Sequence, residues 1–400
     1  MNFDQIVNRN RLIFYTTQLL HSLVFTAPIW IVFYQSRITI PELTILVTFQ
    51  YLIQMAFEVP SGALADLIGR RNTNLLGFVM GAMGYLLFPF ASNIIHFALL
   101  TFLMGAADSF RSGSEEALIF DTYKQANRES EYGKIYANSN MIYQLGLILS
   151  SALGGIMYDF QVMLPYVVYG SCLALGAFIG GLYIEPVIDS EKFSVNNFLI
   201  QMRDGAKEAT RTEYSKYLSL FYIFVWGIAW SSTLYFNEYI LIDLGFGNTH
   251  RGLMFAAMRA INVVIIASVL KNQRLFNFKR SVLFFPIVML LAFLPGKFLD
   301  GFFGVPFIQL AMIATTARWI ILSPMTNAVF SSKYRATAIS ILSLLIGVVY
   351  IGLTGISGFV IANFGIRAMY SLLGILSAVT VLPLSIKLIT LKTSGTIGKT

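Results

Sequence analysis

Apolar residues run in long blocks along this chain, and polar residues gather in the short breaks between them. The blocks fall at about 12–35, 41–65, 74–92, 96–120, 134–158, 163–185, 216–238, 251–271, 281–298, 302–328, 336–362 and 366–391. Each approaches or exceeds the roughly 20 apolar residues that a helix needs to cross a bilayer. In lipid, every backbone polar group must find a partner inside the protein, so only helices and closed barrels span. A barrel would show segments of about ten residues with strict alternation. The pattern therefore predicts an all-α integral membrane protein with twelve transmembrane helices.

One break is longer than the others. Residues 186–215 mix acids and bases (Asp189, Glu191, Lys192, Arg203, Asp204, Lys207, Glu208, Arg211 and Glu213) with apolar positions. That mixture predicts an amphipathic helix at the inner surface, either a plain connector or a regulatory element. It divides the chain into an N-terminal six-helix bundle at 1–186, a cytoplasmic linker at 187–215 and a C-terminal six-helix bundle at 216–400. The two halves echo each other. Tyr132-Gly133 precedes the fifth block and Tyr334-Arg335 the eleventh. The run Gly154 to Phe160 returns as Ile356 to Phe364, at an offset of 202 to 204 residues. Parallel repeats of this kind bind substrate near the membrane midplane.

Composition sharpens the class. The chain is 56% hydrophobic and 12% charged, against about a quarter charged in a soluble domain. The net charge of +8 would suggest nucleic acid, but its placement does not. With both termini on one side, 21 of the 28 lysines and arginines fall on that side, 4 on the other and 3 within the blocks. Cytoplasmic loops collect lysine and arginine, so both termini are expected in the cytoplasm, and the basic character needs no nucleic acid. The lone Cys172 excludes an internal disulfide, and His21, His96 and His250 are scattered. No metal and no cofactor is expected. No cleavable signal peptide is evident.

The stretch Glu58 to Arg71, EVPSGALADLIGRR, joins the second and third blocks. Its Gly62, Asp66, Gly69, Arg70 and Arg71 match every fixed position of Gly-x-x-x-Asp-x-x-Gly-Arg-Arg. The chain thus resembles the major facilitator superfamily, which carries this motif between its second and third helices. The resemblance implies that superfamily's fold, two pseudo-symmetric six-helix bundles, and secondary transport by alternating access. It also implies a charge latch of Asp66, Arg70 and Asp121, the acid that ends the fourth block. Against the latch stands a plainer reading, in which Arg70 and Arg71 only set topology. The second-half counterpart, Lys271 to Arg280, keeps the bases and has lost the acid and the glycines. Gly146, Gly154 and Gly155 partly match an antiporter motif, but Ser150 and Ser151 stand where it has Gly-Pro. The segment SGSEEALIFD resembles one bacterial and archaeal branch of the superfamily that lacks a well-defined common substrate, and a prokaryotic plasma membrane is the expected location.

Charges inside the blocks are the candidate chemistry. The fourth block holds Asp108, Arg111, Glu115 and Glu116. A charge at the bilayer centre costs on the order of 3 kcal/mol, so these side chains must meet water, protein or one another. Asp108, Arg111 and Glu115 share one helical stripe, with Glu116 beside it. One arginine leaves a surplus of acids, and a carboxylate in an apolar setting suits proton carriage. The competing reading is a structural ion-pair network. Glu58, about 12 Å from the inner end of the second block and two residues before Pro60, is either a second proton site or a packing partner. In the second half, Arg259 and Arg318 have no acid within their own blocks. Each must meet a distant carboxylate, a carbonyl or an anionic ligand. Trp226 and Trp230, with Tyr222 one turn earlier, either line a pocket or pack.

The resulting expectation is a carrier of a small organic solute, proton-coupled and exporting an amphipathic or anionic compound. The alternative is a facilitator or proton symporter that imports an organic anion, with a receptor that does not transport as a distant third. No nucleophile–base pair and no phosphate-binding loop argues for an enzyme or an ATP-driven pump. The expected partners are the substrate, protons and the lipid bilayer, with the chain a monomer.

Overall fold

The computed structural model describes residues 2–187, 195–271, 277–331 and 334–393. Among these the regular structure is helical. α1 (Phe3–Ser22) and α2 (Trp30–Gln35) are followed by α3 (Ile40–Ile68), α4 (Arg70–Leu87), α5 (Ile94–Gln125), α6 (Glu129–Phe160) and α7 (Leu164–Gly180). The short α8 (Val195–Ala209) falls in the long polar segment. Then come α9 (Glu213–Ser231), α10 (Asn237–Asp243), α11 (Asn248–Lys271), α12 (Phe278–Phe293), α13 (Val305–Val329), α14 (Arg335–Phe364), α15 (Ile366–Leu376) and α16 (Leu382–Thr393).

Starts are set by capping chemistry. Asn2 with Gln5, Thr39 with Glu42, and Thr212 with Ser215 form reciprocal caps on α1, α3 and α9, which satisfy backbone donors left free at a helix start. Nine helical stretches among the described residues are long and apolar enough to cross a membrane. The expected blocks at 12–35, 163–185 and 251–271 lie on α1–α2, α7 and α11, which are helical but outside that class. Large apolar side chains such as Ile45, Leu149, Phe178 and Phe359 stay exposed. Such surface is costly in water and expected where the surrounding medium is lipid.

Three expected continuous spans are interrupted. The first breaks at Leu23–Ile29, where Pro28 has no N–H to continue the ladder and disfavours helical backbone at Ala27. The seventh and twelfth contain wider π turns at Ser232–Phe236 and Ser377–Val381. The chain divides into two compact units, Met1–Phe193 with Asn248–Arg259, and Ser194–Gly247 with Ala260–Thr400. In the first, Phe14, Leu118, Ile119 and Tyr183 share one apolar cluster, and Phe25, Phe78, Tyr169 and Leu173 share another. In the second, α8 is fastened to its own unit, because the Glu208 carboxylate accepts from the Ser331 amide at 2.7 Å. Asp189, Glu191 and Lys192 of the linker lie outside the described residues, as do Lys333, Lys399 and the 272–276 core of the degenerate counterpart motif.

Candidate functional site

The acidic stripe of α5 owes its position to small residues on α4. A Cβ at Gly77 would lie 2.9 Å from the Ala107 carbonyl oxygen and 2.9 Å from the Arg111 nitrogen. The two backbones therefore touch, and the Asp108–Arg111 turn of α5 is held against α4. From there the stripe reaches into the first unit. Glu115 is fully buried. Its carboxylate lies 2.5 Å from Thr17 Oγ1 and accepts from Gln18 Nε2 at 2.9 Å and Tyr183 OH at 3.1 Å, with Arg111 Nη1 at 3.5 Å. A carboxyl group at this depth is held by partners from α1, α5 and the chain after α7.

Asp108, one turn before Arg111, is held differently. Its carboxylate makes no hydrogen bond to a described residue. It lines a cavity of about 20 Å³ with His21, Arg111, Tyr85 and Tyr169, which is room for a single water. His21 Nδ1 is enclosed there without a partner among the described residues. The imidazole stacks on Tyr143 at 5.8 Å between ring centres, and Tyr169 OH donates to the His21 carbonyl at 3.1 Å. Tyr143 lies within electrostatic reach of Asp108, Arg111 and Arg259.

The structure thus gathers Asp108, Arg111 and Glu115 and leaves the other two acids apart. Glu116 is exposed and accepts from Tyr136 OH at 3.2 Å. Glu58 is exposed on α3. Sequence reasoning misses His21, Tyr143, Tyr169 and Tyr183. The signal available is a histidine inside an apolar block, which carries little weight without a metal-binding companion.

At the α3–α4 hinge, Gly69 has φ +90°, a backbone region that side chains rarely adopt. The turn brings the Arg70 guanidinium against the Asp121 carboxylate, and Arg70 Nη1 donates to the Ala117 carbonyl at 2.7 Å. Asp66 is exposed and makes no ion pair among the described residues, although it lies within electrostatic reach of Arg70. Gly62 has open space around it: a Cβ there would meet nothing within 4 Å. A residue absent from the motif completes the hinge: the Glu185 carboxylate accepts from the Arg70 and Arg71 amides, each at 2.7 Å. It caps α4 from the far end of the unit's sequence, with the charge that a helix N-terminus favours.

Of the two arginines in the second half of the sequence, Arg259 belongs to the first unit and Arg318 to the second. Arg259 Nε is enclosed without a partner among the described residues. Arg318 is 1% exposed, and its Nε and Nη1 have no hydrogen-bond partner among the described residues. Its guanidinium stacks on Trp226 and lies 4.0 Å from the Trp319 ring centre and 5.9 Å from that of Tyr222. The aromatic surface continues from Trp226 to Trp230 at 5.9 Å and on to Tyr350 at 5.3 Å. One turn before Arg318, the Thr315 and Thr233 hydroxyls pair at 2.8 Å. Stacking on an aromatic ring offsets about 2 kcal/mol, whereas an unpaired buried ion costs several kcal/mol. The aromatic walls alone do not balance the charge.

The Major Facilitator Superfamily sequence model matches residues 13–305. A protein of Bacillus subtilis (strain 168), the uncharacterized MFS-type transporter YxaM, is 24% identical over 376 residues, which cover 90% of this chain and 91% of that one. Among solved structures, the nucleoside transporter NupG aligns with a TM-score of 0.75 at 11% identity, over 97% of this chain and 99% of its own. A D-xylose-proton symporter aligns with a TM-score of 0.71 at 12% identity, over 94% and 97%. A bacterial homologue of the human lysosomal transporter Spinster aligns with a TM-score of 0.72 at 14% identity, over 97% of each. At such identities the structural likeness speaks for the fold alone. The family match covers most of the chain, from α1 to the start of α13, and with the apolar helices it makes this protein a member of the major facilitator superfamily, an integral multi-pass membrane transporter.

Proposed function

We propose that this transporter moves a small amphipathic or anionic organic compound by alternating access, in exchange for protons, with export as the working direction. The observation that carries the proton is the contrast between two acids on one helix, Glu115 buried and Asp108 half-buried. Glu115 accepts from Gln18 and Tyr183, with Arg111 beside it. Asp108 has no donor among the described residues and faces a space the size of one water. An acid with no donor of its own is the better placed of the two to take up a proton, and a water in that space would deliver it. Protonation removes the charge that competes with Glu115 for Arg111. That changes the electrostatics of the α1–α5 contact and so biases one facing state. The Arg70–Asp121 pair supports the reading of the α3–α4 hinge as a latch.

Arg318 favours an anion as the organic partner, since it is buried with no carboxylate beside it among the described residues. The D-xylose-proton symporter among the fold relatives is named for proton coupling in the same architecture. The test uses purified protein in vesicles loaded with a pH-sensitive dye and challenged with organic acids. The wild type should move protons when its substrate is added, and Asp108→Asn should not. Transport that proceeds at the same rate with and without an imposed pH gradient would remove the proton from the mechanism. Sidedness of uptake in everted vesicles decides between export and the importing alternative.

A further inference from the structure

We infer that the Arg318 site binds the carboxylate of an aromatic acid, with the guanidinium taking the charge and the surrounding tryptophans taking the ring. This deepens the anion reading above and rests on it. Three features on different helices converge. Arg318 of α13 offers Nε and Nη1, both enclosed and both without a partner among the described residues. Nη2 pairs with either of them to make a flat edge that matches a carboxylate, and no hydrogen bond to a described residue occupies either edge. Trp226 of α9 stacks on the guanidinium, and Trp319 of α13 lies beside it at 4.0 Å. An incoming carboxylate therefore meets the edge of the fork, where the hydrogens lie, beside the stacked Trp226 ring.

What adjoins that edge sets the rest of the ligand. Trp226, Trp230 and Tyr350 form a continuous aromatic wall, and Trp319 adds a ring that is 61% exposed. Rings stack on such walls better than saturated groups of equal size do. The Thr315 hydroxyl, one turn away along α13, is paired with that of Thr233. The described residues show one cation here, which fits a monoanion. A phosphate would call for more positive charge.

The tryptophans make the site directly observable. Three of the chain's four, Trp226, Trp230 and Trp319, belong to this cluster, and the fourth is Trp30. In a Trp30→Phe background, intrinsic fluorescence reports on the Arg318 surroundings alone. Purified protein in detergent would be titrated with phenylacetate, with cyclohexylacetate (same charge, no π system) and with 2-phenylethanol (same ring, no charge). Phenylacetate should quench saturably, cyclohexylacetate should bind about tenfold more weakly, and 2-phenylethanol should not saturate. Arg318→Gln should abolish the response. Arg318→Lys keeps the charge in a folded protein but loses the fork, and should weaken it by about tenfold.

Equal affinity for phenylacetate and cyclohexylacetate overturns the aromatic assignment and leaves anion transport standing. Saturation by 2-phenylethanol equal to phenylacetate, or unchanged binding in both arginine variants, overturns this proposal together with the anion reading. No saturable response to phenylacetate overturns the proposal on its own, and the dye-loaded vesicles then judge the transport reading separately.

Discussion

At the scale of single residues, the α3–α4 hinge shows a device that the motif does not contain. Glu185 lies 114 residues beyond Arg71 and accepts from two successive backbone amides at the start of α4. Gly69, its neighbour, supplies the positive φ and no capping side chain. Glu185 therefore does the work of a missing N-cap, worth about 1 kcal/mol at a solvent-exposed position. Glu185→Ala should lower the unfolding free energy by that amount, and the unfolding midpoint in detergent with it, with Glu185→Gln in between. Thermal unfolding followed by circular dichroism checks it; an unchanged midpoint for the alanine variant would deny the cap. The same scale shows what a sequence can and cannot convey. The spacing of Asp108, Arg111 and Glu115 is enough to place them on one stripe. The partners that make Glu115 different from Asp108 come from Thr17, Gln18 and Tyr183, from 68 to 98 residues away, and no local pattern announces them. Trp319 is equally hidden, since it adjoins Arg318 in sequence but faces a tryptophan on another helix.

At the scale of helices, apolar run length is a sound guide because lipid demands length and offers no partner to a bare backbone. Continuity is only partly readable: Pro28 marks the break at Leu23–Ile29 inside an apolar stretch, whereas the π turns carry no compositional mark. Close packing is also unreadable, and glycines illustrate it. Gly62 belongs to the motif, yet a methyl group there meets nothing within 4 Å. Gly77 belongs to no motif, yet a methyl group there would press on the Ala107 carbonyl and the Arg111 amide. Gly77→Ala should destabilise by about 1–3 kcal/mol through overpacking and displace Arg111. Gly62→Ala should leave stability level or raise it by up to about 1 kcal/mol, from helix propensity. Paired unfolding midpoints of the two variants test this, and the reverse ranking would mean that α4 and α5 are not in close contact.

At the scale of the whole molecule, proton and substrate need not touch to be coupled, because coupling is a free energy shared between two sites. By reciprocity, if taking up a proton at Asp108 alters affinity for the anion, then the anion's affinity must vary with pH to the same extent. The sign depends on the mode. In exchange, the protonated carrier is the one that releases substrate, so affinity should fall as pH falls through the titration of Asp108. In symport the proton prepares the carrier for the anion, so affinity should rise over the same interval. Asp108→Asn fixes the site in a neutral state and should flatten the profile in either case, while Arg318→Gln should lower affinity at every pH. Isothermal titration of the substrate acid at a series of pH values, all above its own pKa, separates these outcomes. A falling profile in the wild type and a flat one in Asp108→Asn would place the proton site in the first unit, with exchange as the mode. A wild-type profile that is already flat would leave Asp108 as a structural acid beside Arg111.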